Sequence, residues 1–82
     1  MNVAQVPATL IELIGQIAPD VDLASVDPEA DLRRAADLDS LDFQSLVELV
    51  ARDTGIEIPE SDYPQVRSLR GLTDYLSARL TM

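Results

Sequence analysis

Apolar side chains recur at helical spacing in three stretches of the chain, and no strand-like alternation extends beyond Ile56–Ile58. In the first stretch, every third or fourth residue is apolar, which predicts a helix from about Val6 to Ala18. Pro7 suits the start of this helix, where a missing N–H costs nothing, and Pro19 ends it. The apolar positions are Val6, Leu10, Leu13, Ile14 and Ile17.

A second helix is predicted to begin at about Ser40 and to end near Gly55, a plausible C-cap. Asp39 is a candidate N-cap, and Asp42 lies three residues on, where a carboxylate completes a rough capping box. Both carboxylates also suit the positive end of a helix dipole. The residues that share one side of this helix are Phe43, Leu46, Leu49, Val50 and Thr54.

The last helix is predicted to follow Ser68 as its cap, with Leu69, Leu72, Leu76 and Leu80 aligned. One short helical turn is expected over Asp62–Arg67. The connection from Asp20 to Leu38 shows no sustained period, so we expect a loop whose apolar residues touch the core at intervals, namely Leu23, Val26 and Leu32. The predicted fold is all-α: residues 1–82 form one domain, a small four-helix bundle of three main helices plus one short helix, with a long loop between helices one and two.

Charge narrows the classes of partner. The net charge is −9, all six basic residues are arginine, and thirteen of the fifteen acids lie between Asp20 and Asp62. Nucleic acid is not expected as a partner, because its phosphates would be repelled, whereas basic protein surfaces are complementary. The sequence has no apolar run long enough to span a membrane and no signal-peptide pattern at its start, so we expect a cytoplasmic location. We also expect a monomer.

Ser40 lacks the partners that activate a catalytic serine. The chain contains no histidine, lysine or cysteine, and no G-x-S-x-G motif surrounds this serine. A Ser-His-Asp or Ser-Lys arrangement therefore cannot form, and a thiolate metal site is excluded too. We expect that the chain is not an enzyme.

A calcium loop is a further candidate for the same stretch. With Asp37 at position one, Asp39 falls at position three and Glu48 at position twelve, as in an EF-hand. Leu41 at position five cannot ligate through its side chain, and Asp42 stands where the loop needs glycine. We therefore expect no metal site here.

Two readings of Ser40 stay open on physical grounds. A helix N-terminus favours a phosphate, so Ser40 could be a site of covalent modification. Equally, it could be an ordinary first-turn residue of a capped helix. Leu41 is predicted to face solvent beside it, ringed by acids, which is typical of a docking contact.

The residues Asp39-Ser40-Leu41, followed by Asp42, resemble the signature of the acyl carrier proteins at the start of their second helix. The similarity extends over nearly the whole chain. It includes Leu46–Val50, Ile56–Pro59 and Ser68–Leu76, while the first helix matches only in pattern. The glycine-histidine-serine core of peptidyl carriers is absent.

The resemblance implies a specific chemistry for Ser40. In this family the serine is joined by a phosphodiester to 4'-phosphopantetheine, which a magnesium-dependent phosphopantetheinyl transferase transfers from coenzyme A. The thiol of the arm carries acyl groups as thioesters for fatty-acid, polyketide or other specialised acyl metabolism. This would give a chain without cysteine a thiol to work with.

The resemblance also implies roles for neighbours of Ser40. Enzymes with basic docking surfaces would meet the residues Asp39, Leu41, Asp42, Gln44 and Glu48. An acyl chain would enter a cavity lined by Phe43, Leu46 and Val50, where the bulky ring of Phe43 could shorten the space. Relatives often carry acids at the positions of Ser45, Ala51 and Arg52, so the choice of partner stays open. The alternative function is an unmodified carrier fold that serves as an acidic protein interaction module.

Overall fold

The structure, a computed structural model, describes residues 3–22 and 25–80 and is built from helices. The α-helices are α1 (Val6–Ile17), α2 (Leu32–Ala35), α3 (Ser40–Thr54) and α4 (Leu69–Leu80), and 3₁₀ helices cover Val3–Gln5 and Glu60–Val66. Within the described ranges, extended backbone pairing is limited to an isolated antiparallel bridge between Asp31 and Ser68. The predicted all-α fold is thus confirmed.

The core forms where α1 packs against both α3 and α4, and the Glu60–Val66 helix packs against α4. The residues that are buried in the described part of the chain are all hydrophobic. They are Val6, Leu10, Leu13, Ile14, Leu32, Ala36, Leu38, Phe43, Leu46, Val47, Val50, Ile58, Val66, Leu72, Tyr75 and Leu76. Of the described helices, none combines the length and apolar character that crossing a membrane requires.

The inward side of α3 differs slightly from the predicted one. Val47 is buried although the sequence pattern did not select it, while Leu49 is only partly buried against the core. Val47 lines a surface hollow together with Ile58 and Tyr63, so the segment after α3 folds back over this side of the helix. The periodicity of one helix cannot reveal such a second covering surface.

The loop after α1 was predicted without an element, and this was wrong at α2. Asp31 caps α2 with its side chain, whose Oδ1 accepts a hydrogen bond from the Arg33 N–H at 2.9 Å. Leu32 is fully buried as expected and Val26 is half-buried, whereas Leu23 lies outside the described residues. A helix of one turn is too short to create the repeat from which helices are predicted.

The predicted turn over Asp62–Arg67 is present as the 3₁₀ helix Glu60–Val66. A polar cluster fixes it to α4. The Tyr75 hydroxyl donates a hydrogen bond to Asp62 Oδ2 at 2.6 Å, and Arg79 lies 3.8 Å from the same oxygen. The Arg79 guanidinium also stacks on the Tyr75 ring at 3.4 Å, which is a cation–π geometry.

Because of this cluster, the stability of the fold is expected to fall at alkaline pH. Burial raises the pKa of the Tyr75 hydroxyl above 10.0, and the hydrogen bond to Asp62 adds to this, against the opposing charge of Arg79. The unfolded chain therefore loses the tyrosine proton at lower pH than the folded chain, so stability decreases as pH rises above about 10. Urea unfolding between neutral and alkaline pH measures this loss.

Tyr75→Phe is expected to cost about 1 kcal/mol near neutral pH, because it removes the hydroxyl that donates to Asp62 Oδ2, leaving that carboxylate with only the 3.3 Å hydrogen bond from Gln65 Nε2. The variant should also lose the tyrosine-dependent part of the alkaline fall. Tyr63→Phe is the matched control, since the Tyr63 hydroxyl makes no hydrogen bond to a described residue. Equal alkaline curves for wild type and Tyr75→Phe would contradict the role given to this hydroxyl.

Candidate functional site

The N-terminus of α3 is closed by two reciprocal hydrogen bonds. Asp39 Oδ1 accepts from the Asp42 N–H at 2.7 Å, and Asp42 Oδ2 accepts from the Asp39 N–H at 3.4 Å. The predicted N-cap and capping box are both confirmed. The Gly55 cap at the other end is confirmed as well, with φ at 74° in the left-handed region.

A buried turn positions the start of α3. Ala36 and Leu38 are both buried, and Asp37 between them adopts φ of 54°. Aspartate tolerates this left-handed conformation better than most residues. The two apolar anchors hold the backbone that leads into Asp39, so the position of Ser40 is set by the core.

Ser40 is therefore the first residue of a fixed helix, with its side chain exposed. Its hydroxyl makes no hydrogen bond to any described residue. The N–H groups that close the helix belong to Asp42 and Phe43. In an α-helix the first N–H groups have no acceptor within the helix, so those of Ser40 and Leu41 are left for water or an anion.

Two surface hollows adjoin Ser40. One has a volume of about 290 Å³ and is lined by Arg33, Ser40, Phe43, Gln44, Glu60 and Tyr63. The other has a volume of about 510 Å³ and is lined by Asp31, Arg33, Arg34, Leu38, Asp39, Ser40 and Arg67. The hydroxyl thus borders open space on two sides, which suits a group much larger than the side chain.

The aromatic wall of the first hollow is a pair of rings. Phe43 meets Tyr63 edge to face, with centroids 5.4 Å apart and an interplanar angle of 78°. Phe43 was expected to line a cavity with Leu46 and Val50, and those two side chains are fully buried in the core. The hollow that Ser40 borders is therefore lined by Phe43 without them, and Tyr63 takes their place.

The residues expected to meet partners form an exposed surface around Ser40. Leu41 is 73% exposed, and Asp39, Gln44 and Glu48 are exposed too, while Asp42 is half-buried by its part in the cap. Across the described residues, the acids do not gather into any group that could hold a metal ion.

The sequence reasoning missed four residues at this site: Arg33, Arg34, Tyr63 and Arg67. The first two precede Ser40 by a few residues, so the composition of the loop was a signal that could have found them. Tyr63 and Arg67 are distant from Ser40 in the sequence and come close to it only in the folded chain, so no local sequence pattern predicts their presence here.

Phosphopantetheine fits the site as the structure presents it. Attachment requires a hydroxyl that an enzyme can reach. Ser40 is exposed, makes no side-chain hydrogen bond within residues 3–22 and 25–80, and lies at a helix N-terminus, which favours a phosphate. The hollows on either side leave room for the arm, and arginine side chains line both.

Comparison with known proteins identifies the family. Residues 8–76 match the family model of the phosphopantetheine attachment site. The chain is also 30% identical over 78 residues to the acyl carrier protein of Syntrophobacter fumaroxidans (strain DSM 10017 / MPOB), across 94% of this chain and 94% of that protein. The resemblance and the cofactor predicted from it, phosphopantetheine, are confirmed. The chain belongs to the acyl carrier proteins.

Proposed function

We propose that Ser40 carries the 4'-phosphopantetheine arm and that the chain delivers acyl groups, bound to the arm as thioesters, to enzymes of fatty-acid, polyketide or other specialised acyl metabolism. The single observation that carries this proposal is the exposed hydroxyl of Ser40 at the capped start of α3. It makes no hydrogen bond to a described residue, and it lies within residues 8–76, which match the family model. When attached, the arm supplies a thiol that the polypeptide lacks.

The residues of the chain itself have a presenting role in this proposal. Asp39 and Asp42 fix the helix end, so the backbone of Ser40 is held in one position where the transferase can reach its side chain. A transferase from outside activates the hydroxyl, since the sequence contains no histidine or lysine to serve as its base. We place the chain among carriers that catalyse no step of their own, working in the cytoplasm as a monomer.

An intact-mass experiment tests the attachment site. With a phosphopantetheinyl transferase, magnesium and coenzyme A, the purified chain is expected to gain the mass of one phosphopantetheine. Fragmentation should place the addition on Ser40, while Ser45, exposed on the same helix, stays bare as an internal control. A chain that gains no mass, or gains it at another residue, would overturn the proposal.

We further propose that partner enzymes dock on the exposed surface made by Asp39, Leu41, Asp42, Gln44 and Glu48. Leu41 is its apolar centre, and acids surround it. Basic patches on partners would be steered there by the charge, and burial of Leu41 would hold them. On the inner side, an acyl chain that enters beside Ser40 meets Phe43 before it could reach Leu46 and Val50.

Leu41→Ala is expected to lower the kcat/KM of arm transfer by about tenfold, because truncating an anchoring residue at an interface costs more than about 1 kcal/mol. The transferase is the probe, and the initial rate of mass gain is the measurement. Ile11→Ala is the matched control. Ile11 is also a large exposed apolar residue, at 45%, but lies on α1.

A second pair of variants tests the charge of the same surface. Glu48→Arg should slow arm transfer and reduce its dependence on salt, whereas Glu12→Arg on α1 should change neither by a comparable amount. The two variants alter net charge equally because the substitution is the same, and both side chains are exposed. Equal effects from both pairs would mean that overall charge and hydrophobicity act without a defined docking surface.

A further inference from the structure

Three of the six arginines of this acidic chain gather at one side of Ser40. Arg33, Arg34 and Arg67 line the hollow of about 510 Å³ that also contains Ser40 and Asp39. We call this hollow the arginine groove. The chain has a net charge of −9 and only six basic residues, so it is unusual that three of them lie beside Ser40.

Backbone contacts bring the three arginines together from distant parts of the chain. Arg33 and Arg34 lie on α2, directly after its cap. The Leu32 N–H donates a hydrogen bond to the Arg67 carbonyl oxygen at 2.7 Å, and the bridge between Asp31 and Ser68 adjoins it. The backbone positions of the three arginines are thus fixed by the fold.

Pairing with acids separates two arginines of the groove, Arg34 and Arg67, from the other four. Outside the groove, each arginine has an acidic partner: Arg52 with Asp53 at 3.0 Å, Arg70 with Glu29 at 3.0 Å, and Arg79 with Asp62 at 3.8 Å.

Inside the groove, Arg33 pairs with Asp31 at 3.7 Å, with its own side chain 45% exposed. Arg34 and Arg67 form no ion pair with any described residue. The two arginines that lack an acidic partner within residues 3–22 and 25–80 therefore lie together, next to Ser40. Their positive charge is available to an anion from outside the polypeptide.

We propose that the arginine groove binds the phosphodiester of the arm and holds its first part against α2. This inference rests on the attachment of the arm to Ser40. The phosphate would be bonded to the oxygen of a residue that lines the groove, so it would lie beside Arg34 and Arg67, which have no acidic partner among the described residues, as well as beside the carboxylates of Asp31 and Asp39. Guanidinium groups pair with phosphate oxygens through parallel hydrogen bonds.

The groove would also relieve an electrostatic conflict at Ser40. Asp39 and Asp42 flank the serine and repel an added phosphate, while the helix end attracts it. Arginines on the α2 side offset the two carboxylates there. The phosphate then lies on that side, and the remainder of the arm starts from a defined direction.

Nuclear magnetic resonance of the arm-bearing protein tests this directly. In wild type, attachment of the arm should shift the Nε–Hε signals of Arg33, Arg34 and Arg67 but not those of Arg52 and Arg70. The phosphorus resonance should also differ from that of the same protein unfolded in urea. Added salt should reduce both differences, because it screens exposed charges.

The matched variants remove two positive charges each. In the Arg34→Gln, Arg67→Gln double variant, the phosphorus resonance is expected to move to the position found in the unfolded protein. In the Arg52→Gln, Arg70→Gln double variant it should stay at the wild-type position. If the groove variant takes up no arm, the test rests on the arginine signals of the wild-type protein, compared before and after attachment.

The possible failures are distinguishable. In one failure, wild-type protein bears the arm, but its groove arginine signals stay where they were before attachment and its phosphorus resonance equals that of the unfolded protein. This result would overturn the groove proposal alone. A wild-type chain whose Ser40 takes up no arm, by intact mass, would overturn both the proposed function and the groove. Equal phosphorus resonances in the two double variants would also count against the groove.

Discussion

Ser40→Ala is expected to abolish attachment of the arm completely and to leave the free energy of unfolding within about 0.5 kcal/mol of wild type. The phosphodiester would be joined to the oxygen of this hydroxyl, so its removal leaves no attachment point for the arm. The fold does not depend on it, because it is exposed and makes no hydrogen bond to a described residue. Intact mass measures the first effect and urea unfolding the second.

Asp39→Ala, at the neighbouring position, is expected to lower stability, which Ser40→Ala should not do. It removes the acceptor for the Asp42 N–H, and loss of such a cap costs about 1 kcal/mol. Ser45→Ala is the matched control for the serine, on the same helix and also exposed, and should be modified as wild type is. A Ser40→Ala protein that still gains the arm, or that unfolds as easily as Asp39→Ala, would contradict the separation of attachment from stability.

This separation explains why the place of Ser40 at the start of α3 could be predicted from the sequence. The cap, the start of α3 and the left-handed Gly55 all depend on residues within a few positions of one another. Local rules therefore predict them. The exposed position of Leu41 follows from the same helix, once its inward face is assigned to Phe43 and Leu46.

The rest of the site depends on contacts between distant residues. Tyr63 reaches Phe43 because the segment after α3 folds back, and Arg67 reaches α2 through the hydrogen bond from Leu32. Neither contact leaves a periodic trace in the sequence. The acyl-cavity assignment stays a prediction, and the same limit applies to it: a helical repeat identifies inward residues, but not whether they border open space, as Phe43 does, or lie within the packed core, as Leu46 does.

Gly71→Ala is expected to have the largest effect on stability, a loss of about 1–3 kcal/mol, as found for overpacked sites. Gly71 lies in the first turn of α4, and its N–H donates a hydrogen bond to Ser68 Oγ at 2.9 Å. A Cβ at this position would overlap the carbonyl oxygen of Gln65. That oxygen belongs to the backbone of the Glu60–Val66 helix, so it cannot rotate away as a side chain could.

Gly15→Ala is the matched control, because a Cβ there would meet no heavy atom within 4 Å. In the interior of α1 the alanine should stabilise the helix by about 0.5–1 kcal/mol. Thermal unfolding measures both variants, since each 1 kcal/mol moves the Tm of a domain this small by roughly 4–8 °C. The two glycine-to-alanine changes should therefore shift the Tm in opposite directions.

The consequence of Gly71→Ala should extend from stability to the arginine groove. To accept a Cβ, α4 must move away from the Glu60–Val66 helix, and Arg67 and Ser68 connect the two. Ser68 also forms the bridge to Asp31, which caps α2. The Nε–Hε signals of Arg33 and Arg67 are thus expected to shift in Gly71→Ala and not in Gly15→Ala. A Gly71→Ala protein as stable as wild type, with unchanged arginine signals, would show that the approach of α4 to Gln65 does not support the groove.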